Sequence, residues 1–343
     1  MHTIILQQPP RLFFGAGCIR QGLDEFSRRN WSRVFVITSP QIAAAQAALV
    51  QSWRDAGLAL EVCEAVDREP EIALFESILE DARAFRPDVV AGLGGGSALD
   101  VSKLVAALLD RVQAIREVFG IGLLKGRAAP LVCIPTTAGT GADVSPNAIL
   151  LDEKERLKKG VVSPHLVADV AICDPELTVS MPPAVTAATG IDALVHCMEA
   201  YASKAAHPVV DVYAIEGVRR IGRSIETAVA DGRDLAARAD VMLGALYGGL
   251  CLGPVNTAGV HALSYPLGGE YRIAHGVANS LLMPHVFRYN LPAMPERYAD
   301  IARALGCESS SDAFETAESG LRRLVEMSAH CGIPQRLRDV GVP

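Results

Sequence analysis

Four side chains in one stretch of this sequence have the types and spacing to hold a metal ion. Asp192 and His196 lie four residues apart in "TGIDALVHCMEAY". His261 and His275 follow in "GVHALSYPLGGEYRIAHGVAN". The pair Pro182-Pro183 suits the first turn of a helix, and the run after it has helical periodicity. On a helix, residues four apart share a face one turn apart, so a carboxylate oxygen and an imidazole nitrogen can converge on one ion. The Pro-Gly stretch "YPLGGEY" is expected to end one helix and to let another start near His275, so that two separate elements supply the last two imidazoles. Three imidazoles and a carboxylate suit a borderline cation such as Fe2+ or Zn2+, not calcium or magnesium. A single histidine in an apolar helix is ordinarily a core or surface residue. The other histidines, His2, His165, His207, His285 and His330, have no such company and read as structural, although "MPHVFRYN" could place His285 near the site.

Two glycine loops lie upstream. In "GLGGGSALDVSK" an apolar strand runs into Gly94, Gly95 and Gly96, and a helix is expected from Ser97. Glycines let the backbone approach a phosphate closely. A helix N-terminus offers unpaired N–H groups and partial positive charge to a pyrophosphate. The loop follows roughly the third strand rather than the first, so the motif alone also fits a tight turn. The second loop, "PTTAGTGADVS", adds the hydroxyls of Thr136, Thr137 and Thr140. Such loops at the carboxyl ends of parallel strands are where ligands bind in open α/β sheets.

The elements that must position these groups change character along the chain. Short strands are expected at 3–6 and 11–14, then at 33–39, 58–66, 88–96, 129–137 and 166–174, with helices between most of them. Strands that are apolar throughout and alternate with helices imply a parallel sheet covered on both faces. "AILLDEKERLKKGVVS" breaks the alternation and reads as a hairpin turning at 152–156. Beyond Met181 the pattern is helical only, with helices expected at 183–203, 208–230, 235–252, 256–264, 276–290, 294–305 and 311–330. The fold class is therefore α/β for 1–182, with a parallel Rossmann-like sheet binding a dinucleotide, followed by an all-α metal-binding domain over 183–343.

The chain has 343 residues, half of them hydrophobic but only 5% aromatic, so the core must be built from aliphatic side chains. A net charge of −7 with no long basic run argues against a nucleic-acid partner. None of the eight cysteines forms a C-x-x-C pair, and several sit in apolar runs as small buried residues. The N-terminal segment lacks a signal-type pattern, and no apolar run is read as membrane-spanning. The expectation is a cytoplasmic protein with no membrane partner, a small-molecule substrate and a homodimeric assembly.

Taken together, these motifs resemble the iron-containing (group III) alcohol dehydrogenases. Gly94 to Ser97 with Asp100 and Lys103, "PTTAGTGADVS", "ATGIDALVHCMEAY" and the two later histidines carry the resemblance, which runs from "PPRLFFGAG" to "GIPQRLRDVGVP". It implies a dehydroquinate synthase-like architecture with the site in a cleft between two domains. It implies that Asp192, His196, His261 and His275 bind the metal, usually ferrous iron and sometimes zinc. Gly95, Gly96 and Ser97 would hold the pyrophosphate of NAD or NADP, and Thr136, Thr137 and Thr140 would line the cofactor site. Lys159 falls where the family places a cofactor-contacting lysine. There are departures. Ser39 stands where the family commonly has an aspartate that disfavours a 2′-phosphate, so NADP becomes admissible beside NAD. Tyr265 stands where the family often has a histidine that is a candidate in proton transfer, so a tyrosine would have to fill that role or only pack. The chain ends at Pro343, where the family continues with more helix.

The implied activity is hydride transfer between NAD(P) and a small alcohol or aldehyde. Three other readings are weighed against it. Maleylacetate reductases share the fold but tend to replace the aspartate of the ligand motif, whereas Asp192 is present here. A dehydroquinate synthase-like lyase would need a basic pocket for its polyanionic substrate, for which only Lys125, Arg127, Lys158 and Lys159 are available. A metal- or nucleotide-sensing protein on a retired scaffold would not need every motif intact.

Overall fold

A computed structural model describes residues 2–343, with Leu23 given by its backbone alone. The first part of the chain runs β1 (Arg11–Phe14), α1 (Ile19–Arg28), β2 (Arg33–Ile37), α2 (Pro40–Ala45), α3 (Ala47–Asp55), β3 (Ala59–Cys63), α4 (Ile72–Phe85), β4 (Val89–Gly94) and α5 (Gly96–Leu108). It continues through β5 (Gly120–Ile121), β6 (Leu131–Pro135), β7 (Asn147–Asp152), β8 (Leu157–Val162) and β9 (Val170–Cys173). Six strands form one sheet in the order β1-β9-β6-β4-β2-β3, every pair parallel.

The period-two alternation of strands divides the apolar residues between the two faces. Phe35, Ile37, Val90, Leu131 and Cys133 pack with α4 and α5. Val34, Val36, Ala91, Val132, Ile134, Val170 and Ile172 pack on the other face with Ile19 and Phe26 of α1 and Val50 and Trp53 of α3. Because both faces are covered, β4, β6 and β9 are buried along their whole length. The expected hairpin is present as antiparallel β7 and β8, and β5 joins β8 to make a second, three-stranded sheet. The two-residue strand β5 was not expected; it is too short to leave a periodic signal.

From Pro183 the chain is helical: α6 (Pro183–Tyr201), α7 (Pro208–Ala230), α8 (Leu235–Leu252), α9 (Gly259–Tyr271), α10 (His275–Asn290), α11 (Pro295–Ala304) and α12 (Ala313–His330). The contacts divide the chain into two compact units. One comprises Gln7–Thr137 and Ala142–Ser180; the other comprises Met181–Pro343, the segment ending at Leu6, and Ala138–Gly141. Gly141 has φ +60, and an added Cβ there would overlap the backbone at Gly249 of α8 and lie 2.9 Å from the Ala245 carbonyl oxygen. That close approach is what seats the tip of the second glycine loop on α8.

Three expectations are corrected. Residues 3–6 form no strand. The "YPLGGEY" stretch does not break the helix: α9 continues through Pro266 to Tyr271 and stops only at Arg272, which is left-handed with φ 56. Pro266 removes one N–H from the ladder, but Leu267 still closes the far end by accepting from Arg272 N. Finally, α8 is long and apolar enough to span a membrane, the one such helix among the described residues, though 67% of it is buried inside the protein. It packs against α6 and α7 as a core helix. Its buried Arg238 donates to Gly232 O, Thr186 Oγ1 and Met181 O.

Candidate metal centre and nucleotide loop

Helix α6 presents Asp192 and His196 from consecutive turns, both nearly fully buried. His261 comes from the first turn of α9, and His275 is the first residue of α10. One ligand atom from each of these four side chains lies within 4.8 Å of every other. Asp192 Oδ1 is 3.6 Å from His261 Nε2 and 3.7 Å from His275 Nε2. The rings of His196 and His261 stack at 4.5 Å, and those of His261 and His275 lie 5.3 Å apart. His275 is the partly exposed member, with 28% of its side chain accessible.

The electrostatics of the cluster favour a cation. Burial alone would raise the Asp192 carboxyl, yet His275, His196 and His261 hold it well below the usual carboxylate range. Burial pushes His196 down to about 3, so it is a neutral imidazole. His261 goes the other way: burial lowers it, but Asp192 and Glu199 outweigh that and carry it up to about 9. At 3.6 Å the Asp192–His261 contact is attraction rather than a hydrogen bond. Two buried ring nitrogens, His196 Nδ1 and His261 Nε2, have no hydrogen-bond partner. Buried polar atoms are rarely left so, and a divalent cation among the four ligands would satisfy His261 Nε2. The donor set of three nitrogens and one carboxylate oxygen suits Fe2+ or Zn2+.

Two buried polar residues of the cluster escaped the sequence reading. Asn279 donates to Asp192 Oδ1 at 2.6 Å and lies 3.2 Å from His275 Nε2. Glu199 accepts at 2.6 Å from His261 Nδ1. Both carry a positional signal, since Asn279 is one turn past His275 on α10 and Glu199 is three residues past His196 on α6. Tyr265, one turn past His261 on α9, has its ring 6.4 Å from that of His275.

Close packing fixes where His275 starts. An added Cβ at the next residue, Gly276, would overlap the Ala188 carbonyl oxygen and lie 2.7 Å from its carbon. Ala188 is one turn before Asp192 on α6, and backbone cannot swing aside as a side chain can. Gly276→Ala should therefore push the start of α10 off α6 and draw His275 away from Asp192. The expected result is a loss of roughly 1–3 kcal/mol in stability, typical of overpacking, together with weaker metal retention on dialysis against a chelator. Unchanged retention would show that the contact does not set the site.

In the α/β unit the sheet order reverses between β2 and β4, because β3 lies outside β2 while β6 and β9 follow on the other side of β4. That switch point is the usual ligand crevice of such sheets. Ser39 stands just past the carboxyl end of β2 as the N-cap residue of α2. Gly95 is the N-cap residue of α5, which begins at Gly96, one residue earlier than expected. An added Cβ on Gly95 would press on Thr137 at 3.2 Å, so the loops after β4 and β6 touch. Thr136 Oγ1 is buried without a hydrogen-bond partner. These residues, with Gly94 and Ser97, are brought together at one end of the sheet. Thr140 belongs by its contacts to the helical unit. Lys159 lies on the second sheet, paired with Asp152 and Glu155 at 2.9 Å each.

The comparisons with known proteins agree with this architecture. A family model described as iron-containing alcohol dehydrogenase matches residues 9–175. A second, for the C-terminal part of the Fe-containing alcohol dehydrogenase family, matches 186–343. The long-chain-alcohol dehydrogenase 1 of Geobacillus thermodenitrificans (strain NG80-2) is 40% identical over 341 residues, which covers 98% of this chain and 86% of that protein. A solved 1,3-propanediol oxidoreductase superposes with a TM-score of 0.96 at 33% identity, covering 100% of this chain and 90% of that one. The sulfoacetaldehyde reductase from Bifidobacterium kashiwanohense, solved in complex with NAD+, gives a TM-score of 0.89 at 28% identity, covering 100% and 90%. A parallel α/β sheet, a helical second part carrying an Asp-His-His-His cluster, and a 40% identical relative spanning nearly its whole length place this chain in the iron-containing alcohol dehydrogenase family.

Proposed function

We propose that the chain interconverts small aldehydes and alcohols with a nicotinamide dinucleotide, using a divalent metal held by Asp192, His196, His261 and His275. The observation that carries this is the convergence of the four ligand atoms within 4.8 Å. When bound, the metal supplies Lewis acidity toward a carbonyl or alcohol oxygen, and the nicotinamide supplies or accepts the hydride. The chain's own residues position and compensate charge. Asp192, ionised despite burial, offsets part of the dication's charge. His196, held neutral, offers a lone pair rather than repulsion. Tyr265, a ring's width from His275, is the proposed donor of the proton that turns an alkoxide into an alcohol.

The unit containing Gln7–Thr137 is the proposed dinucleotide-binding part, with the amides of Gly95, Gly96 and Ser97 at the start of α5 receiving the pyrophosphate. Thr136 and Thr137 line that end of the sheet, and Thr140 and Lys159 are kept as proposed contacts of the cofactor. The solved relative in complex with NAD+ supports a dinucleotide of this class. Neutral Ser39 carries no charge to repel a 2′-phosphate, which keeps NADP beside NAD. The lyase alternative finds little support, because three of the four basic residues it needs are engaged: Arg127 with Asp169, Lys158 with Glu69, Lys159 with Asp152. A cytoplasmic homodimer is the proposed state.

The test is a panel of aldehydes of increasing length, followed by cofactor absorbance with NADH and with NADPH in parallel, beside elemental analysis of the purified protein. The expected outcome is metal-dependent turnover, lost on chelation and restored by Fe2+ or Zn2+. Full turnover after complete metal removal would defeat the reading.

A further inference from the structure

Glu199 is a buried carboxylate that the hydride-transfer reading leaves without a task. Its two oxygens meet three donors. Oε1 accepts from Val260 N at 2.6 Å, and Oε2 accepts from Ala258 N at 2.9 Å and from His261 Nδ1 at 2.6 Å. Ala258 is the N-cap residue of α9, and Val260 is in its first turn. The amides at a helix start have no partner inside the helix, and no side chain of α9 caps them. Glu199 supplies the missing acceptor from α6.

We propose that Glu199 is the positioning residue for His261: it clamps the first turn of α9 and fixes the ring proton on Nδ1, so that Nε2 keeps its lone pair for the cation. The inference rests on the metal reading above. Two of the three donors are backbone N–H groups, which can never accept, so the partner must accept on both oxygens. A carboxylate meets that demand and an amide cannot. In a Glu199→Gln variant, oxygen in the Oε2 place would leave an NH2 group facing Val260 N–H. Oxygen in the Oε1 place would put NH2 against both Ala258 N–H and His261 Nδ1. That arrangement favours the other tautomer, with the proton on Nε2 where the cation must bind. Partners that orient a metal-binding histidine in this way are known to matter for affinity.

The experiment titrates metal-stripped wild type and Glu199→Gln with Co2+ against a competing chelator, recording the d–d absorption spectrum. Glu199→Gln should bind about 10–100-fold more weakly, with an altered spectrum from whatever cobalt it retains. Affinity within about twofold of wild type, with an unchanged spectrum, overturns the proposal. Should Glu199→Gln fail to fold, zinc-loaded wild type labelled with nitrogen-15 histidine decides the matter. A His261 ring protonated at Nδ1 supports the assignment, and one protonated at Nε2 overturns it. A wild type that takes up no Co2+ at all sinks the metal reading itself, a result distinct from a Glu199→Gln variant that binds normally.

Discussion

Asp192→Asn should strip the protein of its metal and its turnover together while leaving the fold intact. The substitution keeps size and an oxygen that can still accept from Asn279, now 2.6 Å away. It removes the one anion among the four candidate ligands. Three imidazoles would then have to hold a dication with no anionic ligand to offset it, in a buried place where charge is costly. His261 loses the carboxylate 3.6 Å from its Nε2 and His275 the one 3.7 Å from its own. Turnover should fall by at least about a thousandfold, equivalent to roughly 4 kcal/mol in the barrier. Metal content per chain, measured by elemental analysis after gel filtration, should drop in step, and the far-UV circular dichroism should not change. A variant that keeps a full complement of metal and works within about tenfold of wild type would mean the site lies elsewhere.

Much of that site was open to a reader of the sequence because a helix converts spacing into direction. Asp192 and His196 are four apart on α6, and no tertiary information is needed to put them on one face. That His261 and His275 would meet them is a different matter, since it depends on how α9 and α10 pack on α6. The Pro266 break was misjudged for a local reason: a proline costs a helix one hydrogen bond and a steric adjustment, and tertiary packing can outweigh both. Glu199 and Asn279 were missed because acidic and amide residues are common on helices, and their significance appears only when a partner from another element faces them. Helix α8 was passed over as a long apolar element because Arg238 and Asp240 interrupt its sequence; the fold pairs Asp240 with Arg220 and Arg223 and gives Arg238 three oxygen acceptors. The central strands of the parallel sheet, β4, β6 and β9, were legible because strands buried on both faces announce themselves as unbroken apolar runs.

The largest stability effect should come from Lys103→Met. Lys103 and Asp100 were noticed as part of a nucleotide-loop motif, but the structure gives them work inside the protein. The Lys103 ammonium is fully buried on α5, and its three N–H bonds meet three oxygens: Ser145 O at 2.9 Å, Ser145 Oγ at 3.2 Å and Asn147 O at 2.8 Å. Asp100, one turn earlier, accepts from Ile149 N at 3.0 Å. Together they fasten the helix behind the glycine loop to β7. Burial lowers Lys103, with Asp100 opposing that; burial also raises Asp100, to about 6, with Lys103 opposing that. Methionine fills the same space without the charge. It strands two carbonyl oxygens and leaves Asp100 without its counter-ion, a loss of roughly 3–5 kcal/mol by analogy with other broken buried pairs. The pH dependence has a definite sign. Asp100 has a folded-state pKa above its unfolded value of 3.8, so folding takes up a proton there and the carboxyl favours the folded state less as pH rises through about 6. Without Lys103 that pKa rises further, so the variant should lose most stability near neutral pH and recover part of it in mild acid. Asp100→Asn in the same chain should restore some of the loss, as expected for groups that interact directly. Both tryptophans, Trp31 and Trp53, lie in the unit that holds this pair, so urea unfolding followed by tryptophan fluorescence reports on it alone. A loss below about 1 kcal/mol, or no recovery on adding Asp100→Asn, would show that the ammonium is dispensable and that packing by the aliphatic stem is what α5 requires.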